Sequence, residues 1–265
     1  MRKHQADTPA LVIMAAEELT SDTPSDVSIV GDDKMVRACL RNTPPLAAGR
    51  WQRAFDALGS THSRTQPLYT FADDIRGLSC AIWHHGGGAI AVLSGQLDAV
   101  LPYTDIPEDE REVLLINSAR EAALGGEVLA LARIELPAAM TSLEAILARA
   151  PLTLIGCIAL KCAPNPKAIT YARHAQTKGL KLQFITARPL VYAEAIGLQN
   201  GLIERLHTAF DAQELLDNPS PSQATKLRAA TIIGAISPLT APLVAQALSG
   251  ATAHLTPTAR SLLGM

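Results

Sequence analysis

The strongest constraint on the fold is a pair of apolar runs separated by a predicted helix. Residues Leu152 to Leu160 are apolar almost throughout, Pro166 begins a helical segment that reaches Gly179, and Leu180 to Thr186 is the second run. Continuous apolar strands are typical of parallel sheets covered on both faces, and strand–helix–strand is the unit that builds them. Because Ala230–Ile236 and Ala251–Leu255 each follow a predicted helix, the second half is predicted to be an open parallel sheet with helices on both faces.

The middle of the first half has the pattern of an antiparallel hairpin. The apolar runs Leu78–Trp83 and Ala89–Ser94 flank the Gly-rich segment His84–Gly88. Two apolar runs around a short Gly-rich segment predict two paired strands and a turn. A phosphate-binding loop would open a helix, whereas this segment opens a strand, so it is interpreted as a turn.

Other elements are predicted on either side of this hairpin. Residues Ala10–Met14 form an apolar run too short to distinguish a buried strand from the start of a helix. Ser21–Ser28 consists almost entirely of Ser, Thr, Asp and Pro and is predicted to be a loop. A helix is predicted over Glu108–Leu124 and a strand over Glu127–Leu136. The pattern changes at Pro137, where we place a domain boundary.

Composition excludes several classes of function. The chain has 265 residues, of which 48% are hydrophobic and 4% aromatic, with a net charge of −2. Because it has no basic block, it is not expected to bind nucleic acid. Its four cysteines form no Cys-x-x-Cys pair and are interpreted as isolated thiols. The uncharged window Ala229–Ala259 contains three prolines and is not expected to span a membrane.

Several short segments together resemble the cytoplasmic part of P-type (E1–E2) cation-transporting ATPases. Phe71–Ser79 is similar to the family's Phe-x-Ser-x-x-Lys-x-Met-Ser segment, Ser94–Leu101 to Lys-Gly-Ala-Pro-Glu-x-Val-Leu, and Glu127–Ala132 to Arg-Val-Leu-Ala-Leu-Ala. Leu152–Pro164 resembles the strand that leads out of the nucleotide-binding domain, and Gly179–Ile203 resembles the unit that follows it. Their order and spacing agree with the family from about Gly31 onward.

The resemblance implies a fold and a division of the chain. It predicts a haloacid-dehalogenase-like parallel sheet with helices on both faces, together with an α+β nucleotide-binding-type domain that contains an antiparallel sheet. Residues 1–24 would supply the first strand of the phosphorylation-type domain, residues 25–137 the nucleotide-binding-type domain, and residues 138–265 the rest of the phosphorylation-type domain.

The residues that would carry aspartyl-phosphate chemistry are replaced. Met14 aligns with the nucleophile of Asp-Lys-Thr-Gly-Thr, and a thioether is neither a useful nucleophile nor a Mg²⁺ ligand. The Thr-Gly-Asp motif retains Thr186 but continues with Ala187 and Arg188, and Ala241 stands at the phosphate-binding Lys. Thr256–Leu262 aligns with the Mg²⁺-binding motif and contains no carboxylate. No catalytic residue, metal site or Mg²⁺ is therefore expected, and it stays uncertain whether the chain is an enzyme.

The resemblance leaves weak ATP binding open. Phe71 aligns with the Phe that stacks on adenine, and Arg76 stands in for one pocket Lys. Ser94 replaces a second pocket Lys, and Gly95 retains the glycine beside it. One aromatic stack contributes about 1–3 kcal/mol, which corresponds to millimolar affinity at best.

Three hypotheses about function follow. The first is a catalytically inactive cytoplasmic module that docks onto a membrane-transporter segment or a genuine P-type ATPase. The second is a sensor that binds ATP without hydrolysing it. The third is a different activity on a haloacid-dehalogenase-like scaffold, for which the sequence offers no nucleophile–base pair.

Overall fold

The computed structural model describes residues 11–31, 33–42, 53–54, 58, 66–73, 75–204, 209–249 and 253–265. The fold is α/β, with one parallel and one antiparallel sheet plus helices. The chain divides into two compact units: residues 1–21, 123–125 and 164–265 form a parallel unit, and residues 22–122 and 126–163 form an antiparallel unit.

The described elements are numbered in chain order. The strands are β1 (Leu11–Ala15), β2 (Thr20–Gly31), β3 (Tyr69–Asp73), β4 (Leu78–His85), β5 (Gly88–Gln96), β6 (Gly126–Leu136), β7 (Thr153–Pro164), β8 (Lys181–Ile185), β9 (Ala209–Asp211), β10 (Ile232–Gly234) and β11 (Ala253–Leu255). The helices are α1 (Asp33–Asn42), α2 (Leu97–Val100), α3 (Glu108–Ala123), α4 (Leu143–Leu147), α5 (Pro166–Thr177), α6 (Leu190–Gln199), α7 (Glu214–Asp217), α8 (Pro221–Ala229), α9 (Ala241–Leu248) and α10 (Pro257–Leu262). Two short 3₁₀ helices span Ala16–Leu19 and Leu101–Tyr103. Within the described ranges, no helix is long and apolar enough to cross a membrane.

The parallel sheet has the strand order β11-β1-β8-β10-β9. The run Ala10–Met14, for which strand and helix were both open, forms strand β1, which pairs in parallel with β8 and β11. The predicted strands in Ala230–Ile236 and Ala251–Leu255 are confirmed as β10 and β11, also in parallel pairing.

Strand β1 is buried along its whole length. Leu11 and Ile13 belong to a core cluster that also contains Leu227 of α8, Val244 of α9 and Ala259 of α10. The intervening residues of β1, which point to the other face of the sheet, are buried as well. A strand buried on both faces needs a continuous apolar sequence, which explains the composition of this run.

The antiparallel sheet has the strand order β2-β7-β6-β5-β4-β3. The predicted hairpin is confirmed: β4 and β5 pair from Leu78↔Gly95 to His85↔Gly88 around a turn at Gly86 and Gly87. The predicted helix over Glu108–Leu124 is confirmed as α3, and the strand over Glu127–Leu136 as β6.

The prediction that Leu152–Leu160 is the first strand of a parallel strand–helix–strand unit is wrong. This run lies in β7, which pairs antiparallel with β6 and belongs to the antiparallel unit. Ile155 and Ile158 enter a core cluster on one face of the sheet, and Cys157 enters the cluster on the other. Because both faces of β7 are covered, its sequence is as apolar as that of a parallel strand. The boundary placed near Pro137 falls inside the same unit.

The predicted loop over Ser21–Ser28 is also wrong, since these residues form most of β2. Pro24 lies within this strand, where it cannot donate a backbone hydrogen bond. The position is tolerated because β2 is an edge strand, paired only with β7 in the described sheet. An exposed edge strand can carry mostly polar side chains, so its composition is similar to that of a loop.

Candidate functional site

The candidate site lies at the carboxyl edge of the parallel sheet. The chain passes from β1 to β8 on one side and later returns to β11 on the other side of β1. In open parallel sheets, ligands bind outside the carboxyl ends of the strands, where the strand order reverses in this way. Three groups directly follow the strands at this edge. They are the 3₁₀ helix Ala16–Leu19 after β1, Thr186 after β8, and Thr256 after β11.

Met14 is a core residue. Its side chain is 1% exposed, and it pairs in register with Phe184 of β8. The resemblance aligns this position with a carboxylate nucleophile, which would need access to a phosphoryl group. A buried thioether offers neither the access nor the charge.

Glu17 connects the ends of β1 and β8. Its Oε1 atom accepts a hydrogen bond of 2.6 Å from Thr186 Oγ1 and one of 3.2 Å from the backbone N–H of Ala187. Thr186 is fully buried, and its Oγ1 in turn accepts from the backbone N–H of Arg188 at 2.9 Å. Hydroxyl and backbone N–H donors converging on one point are the groups that bind anions at catalytic sites. Here the anion is the chain's own carboxylate.

Glu18 makes the corresponding connection on the other side of β1. Its Oε1 atom accepts a hydrogen bond of 3.1 Å from the backbone N–H of Thr258, in the first turn of α10. Its carbonyl oxygen accepts from Asn165 Nδ2 at 3.0 Å. Burial and the nearby Glu18 carboxylate together raise the pKa of Tyr171. The two adjacent glutamates therefore join β1 to the segments that follow β8 and β11.

The segment after β10 satisfies its own polar groups. Thr240 Oγ1 accepts a hydrogen bond of 2.8 Å from the backbone N–H of Ser237. Ala241, which aligns with the phosphate-binding Lys, is buried at the first position of α9. These residues begin a helix and present no cation at the sheet edge. In the ranges that the structure describes, no group of three or more His, Cys, Asp or Glu side chains is placed to hold a metal ion.

Phe71 and Arg76 lie at one end of the antiparallel sheet. Phe71 is half-buried on the edge strand β3, packs against the core, and stacks on Tyr69 with ring centroids 6.3 Å apart. The guanidinium of Arg76 forms ion pairs with Glu144 and, at 2.5 Å, with Asp73. Hydrogen bonds to Glu144 and Asp73 raise the pKa of Arg76, and bonds from the backbone and side chain of Arg76 lower that of Asp73. A phosphate group would have to compete with both carboxylates.

Ser94 and Gly95 lie on β5 and differ in their orientation. Ser94 is buried, and its Oγ lies 2.8 Å from Ser79 Oγ on β4. Phe71 pairs with Cys80, which pairs with Leu93. Because faces alternate along a strand, Ser94 points to the face opposite Phe71, and Gly95 to the same face. A Cβ atom at Gly95 would lie 2.5 Å from the carbonyl oxygen of Gly77, so strand packing alone accounts for this glycine.

Glu17 and Glu18 are site residues that were not predicted from the sequence. The signal was present, because two carboxylates directly follow a buried run and therefore fall at a strand end. Their partners, at Thr186 and Thr258, lie 169 and 240 residues away along the chain. Only the sheet order brings these residues together.

Comparison with known proteins does not identify a family. No protein-family model matches the sequence, and no curated protein matches it at a significant level. What is established for this chain is therefore its α/β fold, the two sheets, and a carboxyl edge whose donors are occupied by Glu17 and Glu18.

Proposed function

We propose that this protein is a non-phosphorylating, P-type-ATPase-like cytoplasmic module that acts by binding a partner. The observation that carries the proposal is the position of Glu17, whose carboxylate accepts hydrogen bonds from Thr186 Oγ1 and Ala187 N–H. These donors, at the carboxyl end of β8, are the ones that a bound phosphoryl group would need.

Electrostatics strengthens this argument. A phosphate or nucleotide approaching the edge meets the negative charges of Glu17 and Glu18, and the donors beside it are already engaged. Hydrogen bonds to a charged acceptor contribute about 1.5–3 kcal/mol each. An external anion would have to displace the Glu17 carboxylate, which is part of the chain and is therefore always present. This competition disfavours phosphate binding, and with it phosphoryl transfer, at the sheet edge.

The course of the chain is consistent with the proposal. Strand β1 belongs to the parallel unit, residues 22–122 and 126–163 run through the antiparallel unit, and most of the parallel unit follows from Pro164. The resemblance implies the same arrangement of a phosphorylation-type sheet that carries a second domain. In this interpretation the fold is retained as a scaffold, and its partner is a membrane transporter or a genuine P-type ATPase.

A phosphoenzyme assay tests the lack of chemistry. The full chain is incubated with γ-³²P-labelled ATP and Mg²⁺, quenched with acid, and treated with hydroxylamine; a genuine P-type ATPase serves as the positive control. We expect no hydroxylamine-sensitive label on this chain. An acyl-phosphate signal would contradict the proposal.

A second candidate function is a nucleotide sensor. The observation that favours it is the stacked pair of Tyr69 and Phe71 on the edge strand, where Tyr69 is exposed. Calorimetry with ATP, ADP and AMP at millimolar concentration tests this function. Heat that disappears in Phe71→Ala supports it, and its absence in the unsubstituted chain removes it.

A further inference from the structure

The antiparallel unit contains an apolar groove that the candidate site does not use. The groove has a volume of about 520 Å³, within the range of about 300–1,000 Å³ typical of ligand pockets. It is lined by Val30 of β2, Met35 of α1, Val113 and Leu114 of α3, and Leu154 of β7. We call this cavity the α3 groove.

Apolar surface continues from the groove onto α3. Val113, which lines the groove, is 57% exposed, and Ile116, three residues further along the helix, is 53% exposed. Residues three apart lie on the same side of a helix, so the two side chains form one exposed strip. Exposed apolar surface next to a groove is typical of interaction sites. A small molecule filling the groove would leave this strip in water, which favours a larger occupant.

The rim of the α3 groove is acidic. Asp109 and Glu110, in the first turn of α3, contribute to its lining. The nearby guanidinium of Arg111 donates to the carbonyl oxygens of Ile106 and Thr104. In the described part of the chain, neither Asp109 nor Glu110 forms an ion pair. Acidic residues also stabilise a helix start, but here two of them border an apolar cavity.

We propose that the α3 groove binds an amphipathic helix of a partner protein, with its apolar face in the groove and its Lys or Arg residues above Asp109 and Glu110. Helices bind such grooves through apolar side chains spaced three, four and seven residues apart. Opposite charge at the rim would fix the direction of the bound helix. This inference rests on the proposed function, because it specifies how the binding module recognises its partner.

Two labelled peptides test the groove with the full chain. Both have about 18 residues, or five helical turns, with Leu on one face; the other face carries Lys in the first peptide and Glu in the second. Fluorescence anisotropy is expected to give an affinity for the Lys peptide at least roughly tenfold higher than for the Glu peptide. Replacing Asp109→Asn together with Glu110→Gln should remove this preference and its dependence on salt.

Matched polar substitutions distinguish the groove from non-specific binding. Val113→Asn should weaken binding of the Lys peptide roughly tenfold. Ile75→Asn, at a residue that is 55% exposed and does not line the groove, should leave the affinity unchanged. Circular dichroism confirms that both variants are folded.

Several results would overturn the proposal. These are equal binding of both peptides, an unchanged affinity in Val113→Asn, or an equal loss in Ile75→Asn. Concentration-dependent dimerisation that Val113→Asn abolishes would assign the groove to a second copy of this chain instead. A phosphoenzyme signal with intact peptide binding would contradict only the non-phosphorylating function, whereas no signal and no peptide binding would contradict only the groove.

Discussion

At the scale of single residues, Glu17 connects the sequence to the proposed function. Replacing Glu17→Ala would leave the fully buried Thr186 hydroxyl without its acceptor. An unsatisfied buried donor costs about 1–3 kcal/mol, so we expect the free energy of unfolding to fall by that amount. Urea denaturation followed by circular dichroism measures the change. Glu17→Gln retains an acceptor oxygen and should lose less.

The control for Glu17 is an exposed acid of the same unit. Glu214→Ala removes an exposed carboxylate from the first turn of α7. It should change the free energy of unfolding by only about 0.3 kcal/mol, the lower end of the effect of a charge at a helix end. If Glu17→Ala is no more destabilising than Glu214→Ala, Glu17 does not hold the sheet edge. Millimolar inorganic phosphate should stabilise Glu17→Ala more than the unsubstituted chain, since the two donors are then free.

The two buried thiols make the free energy of unfolding depend on pH. Burial raises the pKa of Cys80 and of Cys157 from 9.0 to about 12 each. In the unfolded chain these thiols ionise near pH 9.0, so their contribution to stability is complete below that pH and is lost as pH rises toward 12. The free energy of unfolding should fall by up to about 1.4 kcal/mol per thiol for each pH unit in this window. Denaturation at pH 8, 9 and 10 measures it.

Thiol labelling provides an independent measurement of the same burial. At pH 8, iodoacetamide should modify Cys80 and Cys157 only after denaturation, because the reactive species is the thiolate. Cys162 is partly exposed and should react in the folded protein. Mass spectrometry of proteolytic fragments identifies the modified residues. Rapid labelling of Cys157 in the folded chain would contradict its burial in β7.

At the scale of elements, β7 depends on one glycine. Gly156 has a φ of +151°, and a Cβ atom there would lie 2.6 Å from Val36 Cγ2. It lies at a register irregularity between β6 and β7, where an extra residue commonly bends a strand. Gly156→Ala should therefore destabilise the protein by about 1–3 kcal/mol through strain and overpacking.

A glycine in open surroundings provides the comparison. A Cβ atom at Gly87, in the β4–β5 turn, would meet nothing within 4 Å. Gly87→Ala should therefore change the melting temperature little, whereas Gly156→Ala should lower it by several degrees, roughly 2–4 °C for each kcal/mol in a chain of this size. Equal melting temperatures for the two variants would mean that Val36 and β7 move to accommodate the added methyl group without loss of stability.

Elements with local signals were predictable, and elements defined by distant partners were not. The β4–β5 hairpin and helix α3 follow from turn residues and spacing within short windows. Strand β7 has the same apolar pattern as a parallel strand because both of its faces are buried, and β2 has the composition of a loop because it lies at an edge. The donors around Glu17 come from a strand end 169 residues away, which no local pattern encodes.

At the scale of the whole molecule, the discontinuous parallel unit predicts different behaviour for two fragments. Residues 164–265 lack β1, the strand that lies between β8 and β11. This fragment should not form a stable sheet. Residues 22–163 contain all strands of the antiparallel sheet except the first two residues of β2 and the last of β7, and should fold alone. Circular dichroism and NMR dispersion of both fragments test this expectation.

A folded 164–265 fragment would mean that β8 and β11 find another arrangement without β1. An unfolded 22–163 fragment would mean that the antiparallel unit needs the rest of the chain. Adding a peptide that covers residues 9–21 should restore structure to the first fragment, because it supplies β1 and both glutamates of the sheet edge.

The position of β1 also constrains how the protein is made. Ile13 pairs with Gln183 and with Leu255, so β1 must wait during synthesis for partners that lie 170 and 242 residues further along the chain. At about 5–20 residues per second, that interval is on the order of ten seconds or more. During synthesis the antiparallel unit is complete first. Until β8 and β11 are made, the apolar strand β1 has no partner strand to pair with. In a cell, β1 is therefore the segment of the nascent protein to which we expect a chaperone to bind.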